Sequence, residues 1–281
     1  MRFIKALKYL LATVSLLAVM QQHVLADGFP VRPKTLLINP SLSYFVASKY
    51  WDPHRVLQSF GSGGKFTSLT TTLFAEYGIS RRWYFVAQLP YTTNTFTQTA
   101  SPAKVNSGLT DLETGLRYYL ANINYKHYIM LQGTVITPLY NNPNLGYGLT
   151  GAELRLTLAG SGHLFGLASY YSLENGVRQY FGSSGPIQDR YVGTYGLTLD
   201  RKFKNQVSVS LGGIYSQSNF KNFNNANPIT NKDFAFNQVS LTYGHSFSRE
   251  FSVFIGAGTF INGRNTGDGS NVSFGLVIKT F

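Results

Sequence analysis

The chain has 281 residues, no cysteine and only 13% charged residues, set against 21 Phe, 19 Tyr and 28 Gly. The missing cysteines exclude a disulfide framework, thiolate metal sites, a cysteine nucleophile and a lipid-modified N-terminal cysteine. A soluble domain carries about a quarter charged residues, whereas low charge with many aromatics suits a chain whose alternate residues face lipid.

Residues 1–26 read as a secretory signal. Arg2, Lys5 and Lys8 form a basic start, residues 9–20 are an apolar run, and Val24-Leu25-Ala26 offers small residues for cleavage before Asp27. A run of 12 residues falls short of the roughly 20 that a spanning helix needs. The expected domains are therefore a signal peptide, 1–26, and an outer-membrane β-barrel, 27–281. Without the three signal bases, 21 Lys and Arg face 12 Asp and Glu, a net charge of +9. No basic helix or aromatic-basic stripe accompanies that charge, so nucleic acid is not the expected partner. Outer-membrane lipid headgroups and lipopolysaccharide phosphates explain it more simply.

Period-two alternation then recurs between turn residues. Ile38, Leu42, Tyr44 and Val46 oppose Asn39, Ser41 and Ser43; Leu69, Leu73, Ala75, Tyr77 and Ile79 oppose Ser68, Thr70, Thr72 and Glu76. The row Trp83, Phe85, Ala87, Leu89 and Tyr91 opposes Gln88, Thr92 and Asn94, and its aromatic ends match the girdles of a strand crossing an apolar band. Leu112, Leu116, Tyr118 and Leu120 oppose Asp111, Glu113, Gly115 and Arg117; Ile129, Leu131 and Val135 oppose Gln132 and Thr134; Leu154, Leu156 and Leu158 oppose Glu153, Arg155 and Thr157. Further strands are predicted near 164–174, 191–200, 207–219, 235–246, 251–262 and 271–281, making about twelve. The predicted fold is an all-β transmembrane antiparallel barrel.

Connection lengths give its orientation, because bacterial barrels turn tightly on the periplasmic side and loop outside. The predicted external loops lie near 50–64, 96–108, 138–148, 175–190, 220–234 and 262–270. Shorter turns, at 80–82, 121–127, 159–163, 201–206 and 247–250, alternate with them, so both termini are periplasmic. The chain ends on Phe281, an aromatic terminus like that by which many such barrels present the last strand to the assembly machinery. Lys279, two residues earlier, is unusual there: either it snorkels to the rim or the alternation slips near Ile278.

Motifs for chemistry fail their context tests. Gly146-Tyr147-Gly148-Leu149-Thr150-Gly151 fits a dinucleotide fingerprint but precedes a strand, not a helix, and Gly61-Ser62-Gly63-Gly64-Lys65 is followed by Phe66 where a phosphate loop needs Ser or Thr. His54, His127, His163 and His245 read as solvated rim residues. Outer-membrane phospholipases are twelve-stranded barrels with a His-x-Ser-Asn-Gly stretch; here Ser246 directly follows His245 and Phe247 comes next. No cofactor and no enzymatic activity are expected.

The inward charges Glu76, Asp111, Glu113, Arg117, Glu153 and Arg155 share a face with polar residues and are the candidate pore-lining set. They fit a salt-bridge network bracing the wall or a constriction selecting solutes by charge. Glu113 and Arg117 stand about 13 Å apart along one strand and are not direct partners, whereas Glu153 and Arg155 are near neighbours. Phe220, Phe223 and Phe234, with Tyr180 and Phe181, place aromatics on the predicted outer loops, to gather aromatic molecules or to fold those loops inward.

Two stretches carry a family resemblance. Residues 76–83, Glu-Tyr-Gly-Ile-Ser-Arg-Arg-Trp, continuing to Leu89-Pro90-Tyr91, resemble the glycine, periplasmic turn and Pro-aromatic strand end of the phenol meta-pathway degradation family of outer-membrane proteins. Residues 108–118, Gly-Leu-Thr-Asp-Leu-Glu-Thr-Gly-Leu-Arg-Tyr, are similar to that family's Gly-x-Gly-Asp strand, with Thr110 in place of the second glycine. The resemblance implies a transporter-like barrel linked to uptake of hydrophobic or aromatic compounds and brings no catalytic residue with it. The expected function is passive passage of a small-molecule solute; a structural or surface-interaction barrel with a plugged lumen is the alternative.

Overall fold

Alternating strands satisfy a bilayer only when their sheet closes, because an open edge leaves N–H and C=O groups bare in hydrocarbon. The computed structural model describes residues 32–99, 101–221 and 230–280 and closes in that way. The expected signal segment, Phe223 and Phe281 lie outside the described residues. The strands are β1 (Leu36–Trp51), β2 (Leu57–Ser59), β3 (Lys65–Gly78), β4 (Trp83–Gln98), β5 (Ser101–Leu109), β6 (Asp111–Ile123) and β7 (His127–Pro138). They continue as β8 (Gly151–Leu164), β9 (Leu167–Tyr180), β10 (Ile187–Thr198), β11 (Asn205–Gln217), β12 (Phe234–Ser246), β13 (Phe251–Arg264) and β14 (Thr266–Thr280).

Twelve of these cross the wall. β2 is a three-residue extension against the end of β1, and β5 and β6 form one strand broken at Thr110. The break has a local cause. Pro90 of β4 accepts a hydrogen bond from the Thr110 N–H at 3.0 Å but has no N–H to return, so the ladder lapses there. Below it β4 pairs with β6 from Trp83 opposite Tyr118, and above it with β5 from Tyr91 opposite Leu109. β14 closes on β1 from Leu36 opposite Thr280 to Trp51 opposite Thr266.

Burial is inverted relative to a soluble protein. Leu42, Leu73, Leu116, Leu154, Leu211 and Phe274 point outward and are exposed, while Ser41, Thr72, Gln132, Thr157, Ser208 and Asn271 point inward and are buried. Only a hydrocarbon surround makes that favourable, at about 25 cal/mol per Å² of apolar surface withdrawn from water. Exposed Tyr77, Trp83, Phe85 and Tyr243 ring the short-turn end of this apolar wall, as interfacial aromatics do. The protein is a Gram-negative outer-membrane barrel, with its short turns on the periplasmic side.

Three predicted external loops prove to be mostly strand. Residues 96–108 belong to β4 and β5, 262–270 to β13 and β14 around Asn265, and only 181–186 of the predicted 175–190 loop connects β9 to β10. These hairpins extend beyond the membrane, where both faces can be polar, so Ser, Asn, Lys and Gly there looked like loop. Asn265 turns in the left-handed region at φ 52°, which asparagine tolerates well. The periplasmic turn predicted at 159–163 lies instead at 165–166, where Phe165 and Gly166 both have positive φ, the two-residue hairpin geometry. Near the C-terminus the alternation does not slip: Ile278 stays on the exposed face, and Lys279 pairs opposite inward Leu37.

Candidate functional site

The barrel interior divides into two arcs. Strands β6 to β10 supply a charged one, because period-two alternation turns Asp111, Glu113 and Arg117 inward from β6, Glu153 and Arg155 from β8, Glu174 and Arg178 from β9 and Arg190 from β10. Register then sets Glu153 opposite Arg178 and places neutral Gln132 between Arg117 and Arg155.

Glu153 is the hub. Its Oε1 accepts from Arg155 Nη2 at 2.5 Å, and its Oε2 from Arg178 Nε at 2.6 Å and Arg190 Nη1 at 3.0 Å. Arg178 Nη2 also lies 2.7 Å from Glu113 Oε1, and Arg155 Nη1 3.4 Å from Glu174 Oε2. Between Arg155, Glu174 and Arg190 remains a cavity of about 20 Å³, enough for about one water. A second group stands beside this network: Arg117 Nη1 meets Glu76 Oε2 at 3.2 Å, and Arg117 Nε donates to Gln132 Oε1 at 2.9 Å. Asp111 lies toward the external end, where its Oδ2 accepts from the Tyr180 hydroxyl at 3.3 Å. The six predicted residues thus fall in two neighbouring networks, with Glu113 and Arg117 unpaired to each other and Glu153 bonded to Arg155. Glu174, Arg178 and Arg190 went unrecognised, the last two because 175–190 read as loop.

Strands β12, β13, β1, β3 and β4 supply an aromatic arc. Phe236 stacks on Phe260 with ring centroids 4.1 Å apart, Phe260 meets Phe45 at 5.6 Å, and Phe45 meets Phe66 at 6.1 Å. Phe66 pairs across the strands with Phe96, which packs edge-on to Phe60 at 5.6 Å. Gly269 is required for this arc, since a Cβ there would run into the Phe45 ring. Such contacts contribute roughly 0.5–1.5 kcal/mol each beyond area burial.

The external loops fold over the mouth. Leu145 of the 139–150 loop is buried, and a Cβ on Gly108 would meet its side chain. The Tyr147 hydroxyl donates to the Asn231 carbonyl at 2.9 Å and accepts from Gln188 Nε2 at 3.3 Å. Asn231 Nδ2 reaches the Asn265 carbonyl at 3.1 Å, and Asn265 Nδ2 the Asp233 carbonyl at 2.8 Å. Asp233 in turn holds Arg264 at 2.7 Å and Lys221 at 3.2 Å. Partial burial pushes the Asp233 carboxyl up, but the hydrogen bonds from Arg264 and Lys221 outweigh it and hold it below the usual carboxylate range.

The loop aromatics separate by position. Tyr180 is buried beside Asp111 and Arg178, and Phe234 stacks on Phe236, whereas Phe181 and Phe220 are exposed. His127 and His245 each hold a neighbour at 2.7 Å, Tyr171 and Asn205 respectively, near the periplasmic end. Among the described residues no group of three or more His, Asp or Glu side chains is placed to hold a metal. The glycines of 146–151 form the cap loop and the start of β8.

No family model and no curated protein matches the sequence. Solved structures do. An outer membrane channel from Pseudomonas putida F1 superposes with a TM-score of 0.69 at 13% identity, covering 92% of this chain and 100% of that one. The β domain of the Bordetella autotransporter BrkA gives 0.52 at 11% identity over 87% and 99%. The transport unit of the autotransporter AIDA-I from Escherichia coli gives 0.51 at 9% over 96% and 97%. At these identities the likeness is one of fold.

Proposed function

We propose that the barrel is a passive channel for small solutes that combine a hydrophobic or aromatic part with a polar group. The observation that carries this reading is the split lumen wall, ring faces from Phe45 to Phe260 on one side and paired charges around Glu153 on the other. A solute between them exchanges water for aromatic surface on one flank and for preformed dipoles on the other. Glu76, Asp111, Glu113, Arg117, Glu153 and Arg155 then set polarity and size limits, and because the charges are paired within the wall they select weakly by sign. The resemblance of residues 76–118 to the phenol meta-pathway family supports an aromatic solute, and the fold likeness to a Pseudomonas channel supports passage.

A second reading, a plugged structural barrel, draws on the cap at Leu145 and Tyr147 and the water-sized gap beside Arg190. Uptake into vesicles separates the two. Wild-type protein is expected to pass benzoate faster than an aliphatic carboxylate of similar size. The double substitution Phe45→Ala with Phe260→Ala is expected to slow benzoate by about three- to tenfold and to leave the aliphatic acid unchanged. Equal slowing of both solutes would remove the role given to the rings, and no uptake of either favours the plug.

A further inference from the structure

The five periplasmic turns, 79–82, 124–126, 165–166, 199–204 and 247–250, contain seven basic and two acidic residues. By sequence the connections at the opposite end hold three bases and two acids. The connections of the periplasmic end therefore carry the larger positive charge, although Lys49, Lys65, Lys104 and Arg264 stand on strands near the opposite end.

Hydrophobic rings interleave with these bases. Phe165 is 93% exposed and Tyr125 88%, and Phe203 and Phe247 are also exposed, so one ring stands on every turn except the first. Turn geometry does not require them: Tyr125, Phe165 and Phe203 sit at φ 54°, 52° and 56°, where glycine or asparagine would fit without strain. Two side chains show where the set points. Arg82 Nη1 donates to the Tyr118 hydroxyl at 3.2 Å, and Tyr118 packs on outward Trp83 at 4.6 Å. Phe247 stacks on outward Phe251 at 5.6 Å. Both lie back along the outer wall at the depth of the girdle. On the 199–204 turn, Asp200 is occupied by the backbone N–H groups of Lys202, Lys204 and Asn205 at 2.8, 3.1 and 2.6 Å, which leaves Arg201, Lys202 and Lys204 exposed.

We propose that this basic-aromatic ring binds anionic phospholipid of the periplasmic leaflet. The bases meet headgroup phosphates and the turn rings sit at the glycerol level, the arrangement by which interfacial anchors hold a charged bilayer surface. A lipid annulus fits better than an acidic protein because the bases occupy four of the five turns around the circumference instead of one side. The proposal is independent of whether the lumen conducts.

Native mass spectrometry of refolded protein mixed with equimolar phosphatidylglycerol and phosphatidylethanolamine tests it. Wild type is expected to retain phosphatidylglycerol over phosphatidylethanolamine by about tenfold or more, given about a tenfold gain for every one to two bases at the surface. The combined Arg82→Gln, Arg201→Gln, Lys202→Gln and Lys204→Gln variant is expected to lose most of that preference. A variant at the opposite end, Arg55→Gln with Lys221→Gln, keeps it. If the fourfold variant does not fold, Arg82→Gln and Lys202→Gln singly each reduce the preference severalfold. Equal retention of the two lipids by wild type overturns the proposal. So does equal loss in the two variants, or displacement of the lipid by an acidic peptide or by inorganic phosphate.

Discussion

Replacing Glu153 by alanine is expected to destabilise the barrel by about 3–5 kcal/mol, the cost of stranding buried charge when one partner of a buried pair is removed. Three guanidinium groups converge on this carboxylate within 3.0 Å. Arg178 and Arg155 retain Glu113 and Glu174, but Arg190 loses the carboxylate with which it pairs. Arg178 and the Glu153 carboxylate are buried, whereas Arg155 and Arg190 are partly exposed. Urea unfolding of the protein in lipid vesicles measures the change. Glu153→Ala together with Arg190→Met should recover much of the stability, because the arginine that loses its carboxylate is removed with it while Arg178 keeps Glu113 and Arg155 keeps Glu174. A loss under about 1 kcal/mol for Glu153→Ala, the scale of a solvated pair, would mean that the network is hydrated and holds little.

The second large effect concerns the cap. Tyr147→Ala removes two hydrogen bonds, each contributing about 0.5–1.5 kcal/mol, and is expected to raise vesicle permeability to small solutes by about tenfold if the 139–150 loop must swing aside. Acid should act on the same element. The Asp233 carboxyl titrates below its unfolded value of about 3.9, so its contribution is complete above that pH and is lost as pH falls through the lowered folded value. Permeability should therefore be flat around neutrality and rise only in strong acid. Asp233→Asn should give the high permeability at every pH. Unchanged permeability in Tyr147→Ala would show that the loop does not obstruct the path.

Much of this architecture was legible in the sequence. All twelve wall strands were anticipated, because outward Leu, Tyr, Phe and Trp alternate with Ser, Thr and Asn wherever the chain touches lipid. The inward charges followed from the same parity. Legibility ended where lipid ended. Above the membrane, β5 and the hairpin of β13 and β14 are polar on both faces, so parity carries no signal and ladder hydrogen bonds alone hold them. Arg178 and Arg190 were lost because they fell within the predicted 175–190 loop, although Glu174, Gly176, Arg178 and Tyr180 keep the inward phase of β9 and Leu173 and Val177 its outward one. The aromatic arc was missed differently. Phe45 falls in phase with Ser41 and Ser43, and Phe66 with Ser68 and Thr70; aromatics on the polar side of an alternation were the available sign. Pairings between loops, such as Tyr147 with Asn231 across 84 positions, leave no periodic trace.

Single-channel recording of refolded protein in a planar bilayer tests the central claim most directly. A lumen with one aromatic and one charge-paired arc beneath a movable cap predicts discrete openings, rare in wild type and more frequent in Tyr147→Ala. Their anion-to-cation preference should be weak and shift toward anions in Glu153→Gln, as one inward negative charge is removed. Electrical silence of folded protein in wild type and in Tyr147→Ala alike would contradict a channel and leave a plugged barrel.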